Sequence, residues 1–192
     1  DYFFLLRPTL FFPLWTVTLA GKFNSDSAAP IGYIFIFLGA LMGASYIINQ
    51  IVDIEGDRDN NKLFLVAESY VDKRIAVILA LCLIIIGIYG FFTLGWQFGL
   101  LSLLFILVTG LLYNIKPFAF KDNPFLGPMV TTFGGAAAFF LGALPTLNLH
   151  ILYKVIPYLA AFGAVAFMTT IPDIEGDKQA GKKTFAVTFG FR

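Results

Sequence analysis

Charge is scarce in this chain of 192 residues. Only 13% are Asp, Glu, Lys or Arg, against roughly 25% in an ordinary soluble domain. Hydrophobic residues make up 58%, and mean hydropathy is +0.82. That balance excludes a soluble globular core and points to a polytopic helical bundle in a membrane. Cysteine and histidine are scarcer still, with one of each, Cys82 and His150. A single cysteine excludes an intrachain disulfide and a thiolate metal cluster; inside an apolar run, Cys82 reads as packing. His150 falls in a short loop at the bundle end away from the acidic motifs described below, so it is rejected as a general base. With 13 basic and 12 acidic residues the formal net charge is +1, and no nucleic-acid partner is expected. The sequence opens at Asp1 without an initiator Met and stops at Arg192 after a Gly-rich basic segment; it is expected to be part of a longer protein.

Apolar stretches near membrane-spanning length define six spans, at about 3–21, 30–52, 75–94, 98–115, 125–144 and 151–171. The expected fold class is therefore an all-α transmembrane bundle forming one domain over residues 1–192. Pro128 and Pro157 fall inside spans, where neighbouring helices can satisfy the backbone groups they free. Small residues such as Gly39, Gly43, Gly134 and Gly135 would let helices approach closely. Trp96 reads as an interfacial anchor, and most of the 23 phenylalanines as lipid-facing or packing residues.

Against this background, Asp-Ile-Glu-Gly-Asp occurs twice, as Asp53 to Asp57 and as Asp173 to Asp177. Aspartates at i and i+4 share one face of a helical turn, about 5–6 Å apart. The first copy closes the second span and the second closes the sixth, so four spans separate them. An even number returns the chain to the same side of the bilayer, and the four carboxylates can form one site. Lys and Arg agree. Arg7, Arg58, Lys62, Lys73, Arg74, Lys116, Lys121, Lys178, Lys182, Lys183 and Arg192 fall on that side, against Lys22 and Lys154 opposite; by the positive-inside rule it is cytoplasmic. Clustered carboxylates require cations, and an all-oxygen donor set suits Mg2+ carrying a diphosphate better than zinc or copper.

The flanking residues carry a resemblance. Asn49, Asp53 and Asp57 read as N-x3-D-x3-D, and Asp173 and Asp177 as a later D-x3-D. Arg7-Pro8 opens the first span, and Tyr113-Asn114-Ile115-Lys116-Pro117 leads to Lys121 after the fourth. The arrangement resembles the UbiA-type superfamily of intramembrane prenyltransferases over nearly the whole chain. The resemblance implies a bundle of nine helices around a central cavity, of which this sequence would supply about six. It also implies transfer of a prenyl group from its diphosphate to an aromatic or lipid acceptor. On this reading Asp53, Asp57, Asp173 and Asp177 ligate two Mg2+ ions, Asn49 either ligates metal directly or orients a carboxylate, and Arg7, Lys62 and Lys121 (with Asn49) bind substrate. Tyr113 acts at the reacting centre, as a donor or through its ring. Glu55 and Glu175 point away from the paired aspartates. Two departures stand out. Leu63 to Ser69 replace a Pro-rich stretch of the family, and Ala119 stands where many members have Arg, with Lys116 or Lys121 available in its place. Two other readings use the same acids: a cation transporter or channel, and a membrane hydrolase of lipid diphosphates.

Overall fold

The computed structural model describes residues 1–54, 65–179 and 181–190, and within these it is helical with no strand. Helix α1 is Tyr2–Leu5, α2 Phe11–Phe23, α3 Ile31–Val52 and α4 Lys73–Leu94. Helix α5, Trp96–Phe105, continues into a π-helical segment, Ile106–Leu112. After these come α6 Leu126–Ala143, α7 Leu149–Lys154, α8 Ile156–Met168, α9 Ile174–Gln179 and α10 Phe185–Phe189. The six expected spans are all present as helical segments. Five are long and apolar enough to cross a membrane: Tyr2–Phe23, Ile31–Val52, Lys73–Leu94, Leu126–Ala143 and Leu149–Met168; the fourth expected span, Trp96–Leu112, is shorter.

Helix boundaries follow local chemistry. Asp72 caps α4, its carboxylate accepting from the N–H groups of Arg74 and Ile75 at 2.7 and 3.2 Å, which satisfies amides that have no intrahelical partner. Gly95, at φ +145°, ends α4 and turns the chain straight into α5, a conformation that side-chain-bearing residues avoid. Pro157 sits in the first turn of α8, where its missing N–H costs nothing. Within the spans, hydroxyls bond back to their own helix: Ser45 to the Leu41 carbonyl at 3.0 Å, Thr109 to Phe105 at 2.7 Å and Thr132 to Pro128 at 2.8 Å. Such local bonds make polar side chains tolerable away from water.

Lipid tails are as apolar as leucine, so helix association rests on close packing. Helix α3 packs along α4, α2 along α6, and α6 along α8. At the α2–α6 crossing, a Cβ on Gly21 would stand 1.9 Å from the Phe139 carbonyl oxygen, and one on Gly142 1.9 Å from that of Thr18. Only glycine permits the two backbones to meet there. The main core joins Leu38, Leu41, Phe91, Phe105, Ala138 and Leu141. Large apolar residues such as Ile78, Ile85, Tyr89, Leu152 and Val165 are exposed, as a lipid-facing surface requires. Trp96 is exposed as well.

Candidate active site

One end of the bundle gathers the acidic and basic residues that the sequence singles out. Asp53 ends α3, its N–H donating to the Asn49 carbonyl at 2.9 Å. The Asn49 side chain lies one turn back on the same face, and its Nδ2 donates to Asp53 Oδ2 at 2.9 Å. Asp173 and Asp177 stand one turn apart, with the Asp177 N–H on the Asp173 carbonyl at 2.8 Å. The i, i+4 spacing therefore does place these two aspartates on one face. Glu175 between them is exposed, in line with its expected outward direction. Asp57, Lys62 and Glu55 lie outside the described residues.

Lysines link the two acidic segments. Lys121 Nζ donates to Asp53 Oδ1 at 2.6 Å, with the lysine side chain 9% and the aspartate 16% exposed. Lys182 Nζ stands 4.0 Å from the same oxygen and 3.7 Å from Asp177 Oδ1, so it spans the two repeats. Lys116, the other candidate to offset Ala119, is exposed. Local structure explains how these lysines arrive. Ala119 takes a left-handed conformation at φ 38° and starts the 3-10 turn Phe120–Asp122 that carries Lys121. The segment carrying Lys182 is tied down by the Lys183 N–H on the Asp122 carbonyl at 3.2 Å and the Lys182 N–H on the Asp177 carbonyl at 2.9 Å. Beyond it, Phe185 packs on Phe167 with ring centroids 4.6 Å apart, holding α10 against α8.

Beneath the charged end lies a cavity of about 390 Å3 between α3, the π-helical segment, α6 and α8. Arg7, Asn49, Tyr113 and Asn114 line it, together with Met42, Phe105, Val130 and Phe162 deeper in the bundle. Arg7 has left-handed backbone at φ 51° where α1 gives way to the 3-10 turn Pro8–Leu10. Gln50 Nε2 holds the preceding turn by donating to the Leu5 carbonyl at 3.0 Å. A non-glycine residue at positive φ is costly, and such strain clusters at ligand-binding positions. Tyr113 also lines a chamber of about 40 Å3 beside Lys121, Thr131 and Thr184.

Among the described residues no three of His, Cys, Asp and Glu converge as a metal cage; Asp57, part of the expected set, is not among them. The side chains that the two motifs offer among the described residues, Asn49, Asp53, Asp173 and Asp177, all carry oxygen donors, the type that fits a hard cation such as Mg2+. Of the expected residues, Asn49, Asp53, Lys121 and Asp177 are brought into one network, and Arg7 and Tyr113 line the cavity below. Two participants escaped the motif reading. Lys182 counted only as an orienting charge, and Asn114 only as a letter between Tyr113 and Lys116. The signal for Asn114 was an amide following an apolar helix, where a polar group must have a partner.

The chain is thus a bundle of helices of membrane-spanning length, with an acid-and-lysine network at one end over a mostly apolar cavity. The family is explicit: a model of the UbiA prenyltransferase family matches residues 9–192, and the chain belongs to that family. It is 29% identical over 161 residues to digeranylgeranylglyceryl phosphate synthase of Saccharolobus solfataricus, covering 81% of this chain and 55% of the relative. Homogentisate phytyltransferase of Synechocystis sp. is 29% identical over 197 residues, covering 92% and 62%. The chain thus spans little more than half the length of these curated relatives. A UbiA homologue from Archaeoglobus fulgidus, solved with DMAPP and Mg2+, superposes with a TM-score of 0.80 at 22% identity, over 99% of this chain and 69% of that one. At that identity the match establishes a shared fold.

Proposed function

We propose that the protein transfers a prenyl group from a prenyl diphosphate to an aromatic or lipid acceptor, with Mg2+ as cofactor. The observation that carries the reading is the meeting of Asp53 and Asp177, one from each repeat, through Lys182 above the cavity. Asn49, Asp53, Asp57, Asp173 and Asp177 would hold the metal, expected as two ions. When bound, it neutralises the diphosphate and stabilises it as a leaving group. The chain's own residues do the rest. Lys121, Arg7 and Lys62 bind diphosphate oxygens through charge-assisted hydrogen bonds. The scissile C–O bond breaks with its electron pair leaving on the diphosphate. The allylic cation then bonds to the acceptor, which gives up a proton. Tyr113 sits where the cavity meets the charged end, so its ring can face the cation. The prenyl tail occupies the cavity below, where Met42, Phe105, Val130 and Phe162 keep water from the cation.

Both acceptor classes have support, since one relative is named for a glyceryl phosphate lipid and another for homogentisate. The excess of Lys and Arg at the acidic end favours a cytoplasmic site. Incubation with labelled prenyl diphosphate and Mg2+, with and without candidate acceptors, tests the proposal. Acceptor-dependent prenylated product is expected. Release of prenyl alcohol or monophosphate alone would make the protein a hydrolase, and cation flux in vesicles with no diphosphate turnover would make it a transporter.

A further inference from the structure

Asn114 is 1% exposed at the end of an apolar helix, where an amide that packed only as a hydrophobe would be costly. Its Nδ2 donates to the Gly110 carbonyl at 2.8 Å, and its Oδ1 accepts from Asn49 Nδ2 at 2.9 Å. The second N–H of Asn49 goes to Asp53 Oδ2 at 2.9 Å, and the other oxygen of Asp53 takes Lys121 at 2.6 Å. The bonds run in one line from a backbone carbonyl to the carboxylate.

Their direction is fixed by which atoms are donors. An asparagine amide can be turned two ways that exchange its oxygen and nitrogen. The Gly110 carbonyl can only accept, so it holds the Asn114 nitrogen and leaves the Asn114 oxygen facing Asn49. That oxygen in turn demands the nitrogen of Asn49. Both N–H bonds of Asn49 are then committed, one of them to Asp53, and Oδ1 is its remaining hydrogen-bonding atom and only possible metal ligand. We infer that Asn114 is a positioning residue: by fixing the turn of the Asn49 amide it aims the Asn49 oxygen and the Asp53 carboxylate at one cation. The inference rests on the metal-dependent reading above.

The test uses the full-length protein in detergent and reads Mn2+ binding by electron paramagnetic resonance with inorganic diphosphate present, alongside the Mg2+ dependence of prenyl transfer. Asn114→Ala is expected to raise the Mn2+ dissociation constant and the KM for Mg2+ about tenfold, the worth of one ordered hydrogen bond. Asn49→Ala should do at least as much, and Asn49→Ala/Asn114→Ala should bind no more weakly than Asn49→Ala. Asn114→Ser, whose hydroxyl can donate to the Gly110 carbonyl and accept from Asn49, should bind more tightly than Asn114→Ala and more weakly than the parent, and it serves if the alanine variant misfolds. Equal weakening by Asn114→Ser and Asn114→Ala would overturn the inference, as would additive losses in the double variant. If Asn49→Ala weakens binding while Asn114→Ala does not, the inference alone fails. If Asn49→Ala itself binds Mn2+ like the parent, the metal-site reading fails and takes the inference with it.

Discussion

Replacing Lys121 with methionine keeps most of the side-chain volume and removes only the ammonium, so its consequences can be worked from the geometry. The ammonium lies 2.6 Å from Asp53 Oδ1 with both side chains largely out of water, and an ammonium has three donors. One is on Asp53, leaving others to reach a diphosphate. Losing a charge-assisted bond of about 1.5–3 kcal/mol would weaken prenyl diphosphate binding by about 10- to 150-fold. The second consequence has the opposite sign. With Lys121 gone, the nearest cation described at Asp53 Oδ1 is Lys182 at 4.0 Å, so the carboxylate meets less competition from protein cations. A divalent ion without diphosphate should therefore bind Lys121→Met more tightly than the parent. Equilibrium binding of labelled prenyl diphosphate and a Mn2+ titration without diphosphate measure the two effects separately. Lys73→Met is the control, because Lys73 is exposed in the first turn of α4. The reasoning fails if both affinities fall together in Lys121→Met, or if Lys73→Met loses as much diphosphate affinity.

Asp53→Ala and Asp173→Ala should each nearly abolish Mg2+-dependent transfer, and the double variant should be little worse than either, because residues gripping one ligand act as a unit; near-normal turnover in Asp173→Ala would separate the repeats. Glu175→Ala should keep most activity in the same assay, since its side chain is exposed. In a Cys82→Ser background, single cysteines at Glu68 and Lys178 should label from one side of the membrane and those at Asp26 and Leu147 from the other; opposite labelling of the first two would break the single site. Gly142→Val should lower stability by at least about 1–3 kcal/mol, seen as a lower Tm in detergent, because its Cβ would meet the Thr18 carbonyl oxygen at 1.9 Å.

The spans were legible because a membrane imposes one requirement on every residue within it, and runs of apolar residues near 20 long satisfy that requirement in only one common way. The shorter fourth segment was harder to bound. Its start depends on the single torsion of Gly95, and its end on a π-helical segment, which an average over a window does not register. The repeated Asp-Ile-Glu-Gly-Asp was legible for the opposite reason, since carboxylates are expensive near lipid and a duplicated pair is unlike chance. Span parity then put both copies at one end without any tertiary detail. Partner choice was not legible. Whether Lys121 or Lys116 turns inward is decided by the left-handed Ala119 and the turn it begins. The bonds of Asn114 depend on how closely the segment after Phe105 approaches α3. A Cβ on Gly110 would come within 3.4 Å of Ser45 Oγ, one turn before Asn49.

The lysines also account for how acids from two separate segments can stand at one end of the bundle. Asp53 and Asp177 carry like charges at one end of the bundle with their side chains mostly out of water, where they repel more strongly than in bulk water. Removing one partner of a buried pair leaves an uncompensated charge at a cost of several kcal/mol. Lys121 and Lys182 offset that repulsion, with Lys182 reaching acids from both repeats. An ammonium is suited to this temporary role because it is a point charge on a flexible stem, able to turn from a carboxylate to a phosphate oxygen. Arginine, with its planar fork, would lock onto a carboxylate with two parallel bonds and yield it less readily. The same cations would thus hold the two acidic segments together and grip the diphosphate once metal takes the carboxylates. The opposite signs predicted for Lys121→Met express that exchange.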